Sequence, residues 1–340
     1  MENLSNKKVL ILHTGGTIGM KLTENGYAPV QGYLTDKLTE IDDLQQPLMP
    51  KYDIFEFSPL LDSSDISAEQ WNAIAQKIYE NYDKYDGFVI LHGTDTMAYT
   101  SSALSFMLSG LNKPVILTGS QIPLAEIRSD ARDNLITSVI IASEGIANEV
   151  CLYFGGKLLR GNCATKMNAD KLVAFDSPNL PPLATAGIAI KYNRDLLRKS
   201  TEKVLKFNKF SAVPIGVLKV FPGIQFNLFA DILTEKLSGV VLETFGAGNI
   251  PCGGNELLPI IKNAFNSGSI VVVCSQCPAG SVTLGTYESS SALKKAGAVS
   301  GKDMTTEAAV TKLYLLFSLN LSTNEIKEKM EINIAGEMTE

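Results

Sequence analysis

The stretch Leu12-His13-Thr14-Gly15-Gly16-Thr17-Ile18-Gly19-Met20 sets two threonines, three glycines and a histidine at the end of an apolar run. Three uses suit it: a plain turn, a phosphate cradle, or the seat of a threonine nucleophile. The cradle fails on pattern. A P-loop needs G-x-x-x-x-G-K-[ST] and a dinucleotide fingerprint needs G-x-G-x-x-G; Gly15 to Gly19 spells neither, and Met20, not lysine, follows the last glycine. A threonine hydroxyl is a weak nucleophile and needs an adjacent base. His13 and His92 are the two imidazoles of the chain. Each directly precedes a polar loop and reads as a packed, hydrogen-bonded ring, so a base for hydrolysis is sought elsewhere. Thr94 and Asp95 are neighbours in one short segment, and Lys166 closes Arg160-Gly161-Asn162-Cys163-Ala164-Thr165-Lys166. A lysine serves as base when desolvation or a nearby cation lowers its pKa. Spacing alone reads Lys166 as an ordinary surface residue.

Elements that would carry these residues are legible. Short, mostly continuous apolar runs recur at Val9–Leu12, Phe88–Leu91, Val115–Leu117, Val150–Phe154, Val217–Val220, Val240–Leu242 and Ile270–Val273, as for strands buried on both faces. Helical patterns lie between them. Ser67-Ala68-Glu69-Gln70 is a capping box, followed by Trp71, Ile74, Ala75, Ile78, Tyr79 and Tyr82 at helical spacing; Thr100–Leu108 and Asn134–Ala142 read as further helices. Strands alternating with helices imply a parallel α/β sheet. In such sheets ligands bind beyond the carboxyl ends of the strands, where Thr14 to Thr17, His92 to Thr96 and Thr118 to Gln121 would share one pocket. The stretch Lys191–Phe210 carries seven Lys or Arg and no strand pattern. The expected organisation is an N-terminal α/β domain over 1–190, a linker over 191–212 and a smaller C-terminal α/β domain over 213–340.

Composition removes several classes. The 340 residues are 45% hydrophobic and 19% charged, as in a globular protein with a sizeable core. A net charge of −6 with scattered Lys and Arg argues against nucleic acid. No apolar run approaches the ~20 residues of a membrane span. Lys7 and Lys8 are followed by only four apolar residues before His13, too few for a signal-peptide core, so a cytoplasmic location is expected. Five cysteines are not a secreted disulfide framework. Cys274-Ser275-Gln276-Cys277 spells C-x-x-C, but with no second such pair and two distant histidines it reads as a strand end with reduced thiols, and no metal is expected.

The segments "HTGGTIGM" and "GFVILHGTDTMAYTSSALSFML" resemble the two signature regions of the bacterial L-asparaginase family, and "TGSQIP", "RGNCATKMNAD", "FDSPNLPPL" and "GKDMTTEAAVTKL" extend the likeness over nearly the whole chain. The wording is most similar to the cytoplasmic type I enzymes. The resemblance implies an asparaginase/glutaminase-like fold of two α/β domains, the larger N-terminal one mainly parallel and the smaller C-terminal one parallel. It implies hydrolysis of L-asparagine to L-aspartate and ammonia through a threonine-linked acyl-enzyme, without a cofactor. Thr17 would be the first nucleophile and Tyr27, on a mobile loop behind it, would hydrogen-bond and activate it. Thr94 would pair with Lys166 to activate water or a second attack. Asp95 would bind the substrate α-amino group, Asp62-Ser63-Ser64 would grip its α-carboxylate and α-amino groups, and Ser120 would line the pocket. Family members form intimate dimers or dimers of dimers; Gly246-Ala247-Gly248-Asn249 resembles the loop a partner chain contributes, with Asn249 at its end.

Some type I enzymes also bind asparagine at a regulatory site. Thr165 and Cys277 match two of its positions, but Glu243 stands where those enzymes carry an arginine. An arginine would hold the effector carboxylate in a bidentate pair; a glutamate would repel it. Hyperbolic kinetics are therefore expected, unless a neighbour such as Lys302 compensates. Rival readings are a relaxed asparaginase–glutaminase, since one methylene is worth only about 1–3 kcal/mol of discrimination, and a non-catalytic amino-acid sensor, which has no need of both hydroxyls and the lysine. The amidase subunit of a tRNA-dependent amidotransferase is a third; it carries an extra N-terminal domain, whereas the first strand pattern here starts at Val9.

Overall fold

The continuous apolar runs become buried strands in the computed structural model of the chain, which describes residues 4–24, 26–199, 204–251, 257–285 and 288–339. The chain divides into two units, Met1–Phe207 and Asn208–Glu340.

In the first unit the strands are β1 (Lys8–Gly15), β2 (Met20–Thr23), β3 (Gly26–Pro29), β4 (Lys51–Leu61), β5 (Gly87–Leu91), β6 (Leu108–Ser109), β7 (Val115–Thr118), β8 (Val150–Phe154), β9 (Lys157–Arg160), β10 (Thr165–Lys166), β11 (Phe175–Asp176), β12 (Ala184–Ala186), β13 (Ile190–Tyr192) and β14 (Lys206–Phe207). The helices are α1 (Tyr33–Thr39), α2 (Ala68–Asn81), α3 (Met97–Met107) and α4 (Ala131–Glu144). The main sheet runs β13-β12-β9-β8-β7-β5-β1-β4. Strands β4, β1, β5, β7 and β8 are mutually parallel. β9, β12 and β13 are antiparallel, so the expected parallel sheet has an antiparallel margin. Its cause is local: β8 and β9 are joined by Gly155-Gly156 alone, at φ 55° and 83°, and a two-residue turn with both φ positive returns the chain antiparallel. Val9, Ile11, Val89, Leu91, Ile116, Leu135 and Val139 lie in one core on the sheet face that α4 covers.

Helix α2 opens with the expected capping box, Ser67 receiving the Glu69 N–H and Gln70 reaching back to the Ser67 N–H. One reading needs correction, and one strand has no continuous apolar run to mark it. Lys51–Leu61 alternates polar and apolar residues and contains Pro59, a pattern tolerated at a sheet margin; it forms β4, the edge strand beside β1. The stretch Lys191–Phe210 is not free of strands. It holds the end of β13, and β14 pairs Phe207 with Leu108. The buried Arg160–Glu149 pair (2.6 Å) also ties this stretch down, because Arg160 donates to Leu196 O and Glu149 accepts from Arg198 N. Residues 200–203 of the expected linker lie outside the described residues.

The second unit is a four-stranded parallel sheet in the order β15 (Ile215–Lys219), β16 (Gly239–Thr244), β17 (Ile270–Ser275) and β18 (Val299–Ser300). Its helices are α5 (Leu257–Asn266), α6 (Glu288–Ala296), α7 (Thr306–Ser318) and α8 (Thr323–Met330). Val240, Leu242, Leu257, Ile261, Val271, Val273 and Leu293 build its core. Among the described residues no helix is long and apolar enough to cross a membrane.

Candidate active site

Neighbouring parallel strands β4, β1, β5 and β7 all end on one edge of the first unit's sheet, and the four loops that follow carry Asp62-Ser63-Ser64, Thr17, Thr94-Asp95 and Ser120-Gln121. Two of these loops touch backbone to backbone. A Cβ on Gly16, whose φ is +87°, would lie 2.3 Å from Gly93 N, and one on Gly93 would lie 2.4 Å from Ser63 Oγ. The paired glycines thus do adopt conformations that other residues avoid, and the group that approaches Gly16 is the loop carrying Thr94. Thr96 Oγ1 donates to Ser63 O (2.7 Å) and knits the Thr94 loop to the turn after β4. Thr14 is a structural hydroxyl, donating to Leu91 O (2.9 Å) across the sheet.

Lys166 reaches this edge from β10. The segment before it is anchored by Gly161, whose N–H donates to Val150 O (2.9 Å) and whose carbonyl accepts from Ser101 Oγ on α3 (2.7 Å). Lys166 Nζ donates to Thr94 Oγ1 and to Asp95 Oδ1, both at 2.8 Å. Thr94 is buried, 7% exposed, so its hydroxyl meets little competing water. The Thr94 hydroxyl in turn donates to Gln121 Oε1 (3.1 Å). A hydroxyl linked to a lysine that also grips a carboxylate is a proton-transfer arrangement.

The other residues expected at the site divide. Thr17 is half-buried in the turn after β1. Tyr27 lies on β3, 47% exposed, and its hydroxyl donates to Glu126, which holds the phenol above its usual pKa. The expected bond from Tyr27 to Thr17 is not made here. Asp62 accepts from both N and Oγ of Ser64 at 2.9 Å, so its Oδ1 shapes its own turn. Ser63 is buried. Ser120 is fully buried and donates to Ile122 O (2.6 Å) within its own turn.

The histidines differ from one another. His92 is packed and bonded as expected: Nδ1 donates to Gly93 O (2.8 Å), and Nε2 lies 2.9 Å from Thr100 Oγ1, which receives Trp71 Nε1–H at 3.0 Å. His13 is packed but, among the described residues, neither ring nitrogen has a partner, which corrects the expectation of a bonded ring. Burial lowers both rings from 6.5 to about 4, so both are neutral at pH 7.

Thr165 sits on β10 beside Lys166. In the second unit Glu243, next to last in β16, accepts from Thr306 Oγ1 (2.6 Å) and lies 3.6 Å from Lys219 Nζ; its near cation is Lys219, where sequence pointed to Lys302. Asn249 closes a bridge with Phe245. Cys277 is exposed, Cys274 is buried, and both are free thiols. Burial, with Glu243 and Glu307, pushes the Cys274 thiol up to about 12, which disfavours redox chemistry there. Among the described residues no group of three His, Cys, Asp or Glu could hold a metal.

Sequence reasoning missed Gln121 as a partner of Thr94 and Glu126 as a partner of Tyr27. Gln121 stood in the quoted "TGSQIP", but nothing along the chain shows that its amide faces residue 94.

Fold and site together define a two-unit α/β protein with a threonine–lysine centre at the carboxyl edge of its larger sheet. The family described as "Asparaginase, N-terminal" matches residues 8–198, and "Glutaminase/Asparaginase C-terminal domain" matches residues 214–330. L-asparaginase 1 of Escherichia coli strain K12 is 45% identical over 336 residues, covering 99% of each chain. The crystal structure of L-asparaginase I from Vibrio cholerae superposes with a TM-score of 0.90 at 47% identity, covering 98% of this chain and 99% of that one. The thermostable L-asparaginase of Thermococcus kodakarensis gives 0.89 at 34% identity, again over 98% and 99%. The chain belongs to the asparaginase family.

Proposed function

We propose that this chain hydrolyses L-asparagine to L-aspartate and ammonia through an acyl-enzyme on Thr17. Family membership and the identities above support the reaction. The observation that carries the mechanism is the 2.8 Å contact from Lys166 Nζ to the buried Thr94 hydroxyl. In the first half, Thr17 Oγ bonds to the side-chain acyl carbon of asparagine, the C–N bond breaks, and ammonia leaves with the Thr17 proton. In the second half, Thr94, held by Lys166, orients the water that attacks the ester; the proton that water loses passes to Thr17 Oγ1 as the ester C–O bond breaks and aspartate departs. Asp95 binds the α-amino group as a carboxylate facing an ammonium, and the Asp62–Ser64 turn with Ser120 frames the rest of the amino acid. Tyr27 acts after its hairpin moves the phenol from Glu126 to Thr17, a closure of the kind that completes many active sites. The protein works in the cytoplasm as a dimer or dimer of dimers in which Asn249 of one copy completes the pocket of another.

Ammonia release from L-asparagine and L-glutamine across a concentration range tests this. Turnover of asparagine that disappears in both Thr17→Ala and Thr94→Val is expected. Near wild-type kcat in either variant would overturn that residue's role. Comparable efficiency on glutamine would widen the substrate class.

A further inference from the structure

We propose that Gln121 is a positioning residue of this site: its amide ties the loop carrying Lys166 to the loop carrying Thr94 and sets the direction of the Thr94 hydroxyl. This rests on the roles proposed above for Thr94 and Lys166.

The hydrogen bonds leave the Gln121 amide one orientation. Its Nε2 donates to Ala169 O (3.2 Å) and Lys171 O (3.3 Å), two carbonyls of the turn just after Lys166. Carbonyls only accept, so the nitrogen end must face them. The oxygen end then faces Thr94 Oγ1 at 3.1 Å. Both ends of this link are themselves held. The turn is closed by Asn168 Oδ1, which accepts from Asp170 N and Lys171 N at 2.8 Å. The Gln121 N–H is held by the Asp130 carboxylate (3.0 Å to Oδ2), and Asp130 is fixed by Asn134 Nδ2 (3.2 Å), which also donates to Gly119 O (3.0 Å).

A proton count shows what this does. A threonine hydroxyl has one proton and two lone pairs. Lys166 occupies one lone pair and Gln121 takes the proton. One lone pair is left to receive a hydrogen bond from an attacking water. Without the Gln121 oxygen, the Thr94 proton competes with that water, and the Lys166 loop loses its tie to residue 94. The half of the reaction that uses Thr94 and Lys166 suffers; formation of the Thr17 ester suffers less.

The test compares wild type, Gln121→Met and Thr94→Val on L-asparagine, with and without hydroxylamine, a nucleophile that attacks an ester without help from a base. For Gln121→Met the expected result is a kcat about tenfold lower with KM changed less than about threefold, the scale of one lost hydrogen bond. A stoichiometric ammonia burst should precede the steady state, and hydroxylamine should restore the rate. An unchanged kcat overturns the proposal. So does a fall without burst and without hydroxylamine rescue, because a loop support alone slows both halves equally. Thermal unfolding is followed in parallel; should Gln121→Met be unstable, Gln121→Asn, one methylene too short to span both loops, is judged by the same two criteria. Thr94→Val keeps the two ideas apart: full activity there removes the role of Thr94 itself, whatever Gln121 does.

Discussion

Lys166 and Lys312 each hold a carboxylate at almost the same distance, 2.8 Å to Asp95 and 2.7 Å to Glu337, yet their surroundings differ in kind. Both side chains of the Lys312–Glu337 pair are fully buried. Lys312 spends its other donors on Met330 O (3.0 Å) and Ile332 O (2.6 Å), and Glu337 accepts from Ile334 N and Ala335 N. Every strong donor and acceptor is saturated by backbone, and the pair clasps the end of the chain onto α7. In the Lys166–Asp95 pair the lysine is 19% and the aspartate 70% exposed, and the third partner is a hydroxyl rather than a carbonyl. Burial and ion pairing are common to both lysines; what sets Lys166 apart is a partner that can itself give up a proton.

Mutating the two lysines should break the molecule in different currencies. The largest effect is expected from Lys166→Met: loss of asparagine turnover by ~10³-fold or more, as when a base and its nucleophile are separated. The same change should cost little stability, since its partner Asp95 stays mostly in water and such a pair contributes at most about 1 kcal/mol. Steady-state kinetics beside a denaturation curve checks both. Undiminished activity would return Lys166 to an ordinary surface lysine.

Lys312→Met should give the reverse pattern. Removing one partner strands the Glu337 carboxylate in the interior, a cost of about 3–5 kcal/mol, while kcat per folded molecule stays unchanged. Urea unfolding with an active-site titration separates the two quantities. A stability loss below about 1 kcal/mol would mean that the clasp is ornamental.

A smaller effect is expected from His13 and His92. Their folded pKa values, about 4, lie below the 6.5 of an unburied ring, so the unfolded chain takes up these protons first as pH falls. Their contribution to stability is whole above pH 6.5 and is lost between 6.5 and 4, amounting to about 2 kcal/mol per ring near pH 5. His13→Leu removes the ring whose two nitrogens have no partner, so it should flatten part of this decline and stabilise more at about pH 5 than at about pH 7.5. Thermal midpoints across that range decide it; parallel curves for variant and wild type would sink the assignment.

The smallest effect concerns Glu243. Its carboxylate accepts from Thr306 and faces Lys219, so the nearby cation is already shared with a carboxylate. The dependence of rate on asparagine should be hyperbolic at constant oligomeric state. A Hill coefficient clearly above one would show that this cluster transmits a signal after all.

Much of the frame was legible residue by residue. Buried central strands announce themselves because both faces need apolar side chains, and all seven apolar runs became or fell mostly within strands. The box at Ser67–Gln70 marks a helix start because its bonds are local. The edge strand β4 was hidden for the converse reason: a half-exposed strand alternates and reads like a surface segment. The antiparallel margin follows from the Gly155-Gly156 turn, a local signal that a search for long apolar runs passes over.

Sequence by itself determined which residue types stand at the strand ends, through hydrophobic period, turn chemistry and the glycines whose φ only they adopt readily. It also carried the family, since long motifs keep their wording. Only the tertiary structure decided which of those residues meet. Thr94 and Lys166 lie 72 positions apart, and no local rule brings them to 2.8 Å; the sheet order and the anchoring of Gly161 do. Nor could spacing show that the Gln121 amide faces Thr94, that Tyr27 rests on Glu126, or that one histidine is bonded and the other bare. Partners of that kind are chosen by packing between distant segments, where burial leaves a polar group no water to fall back on.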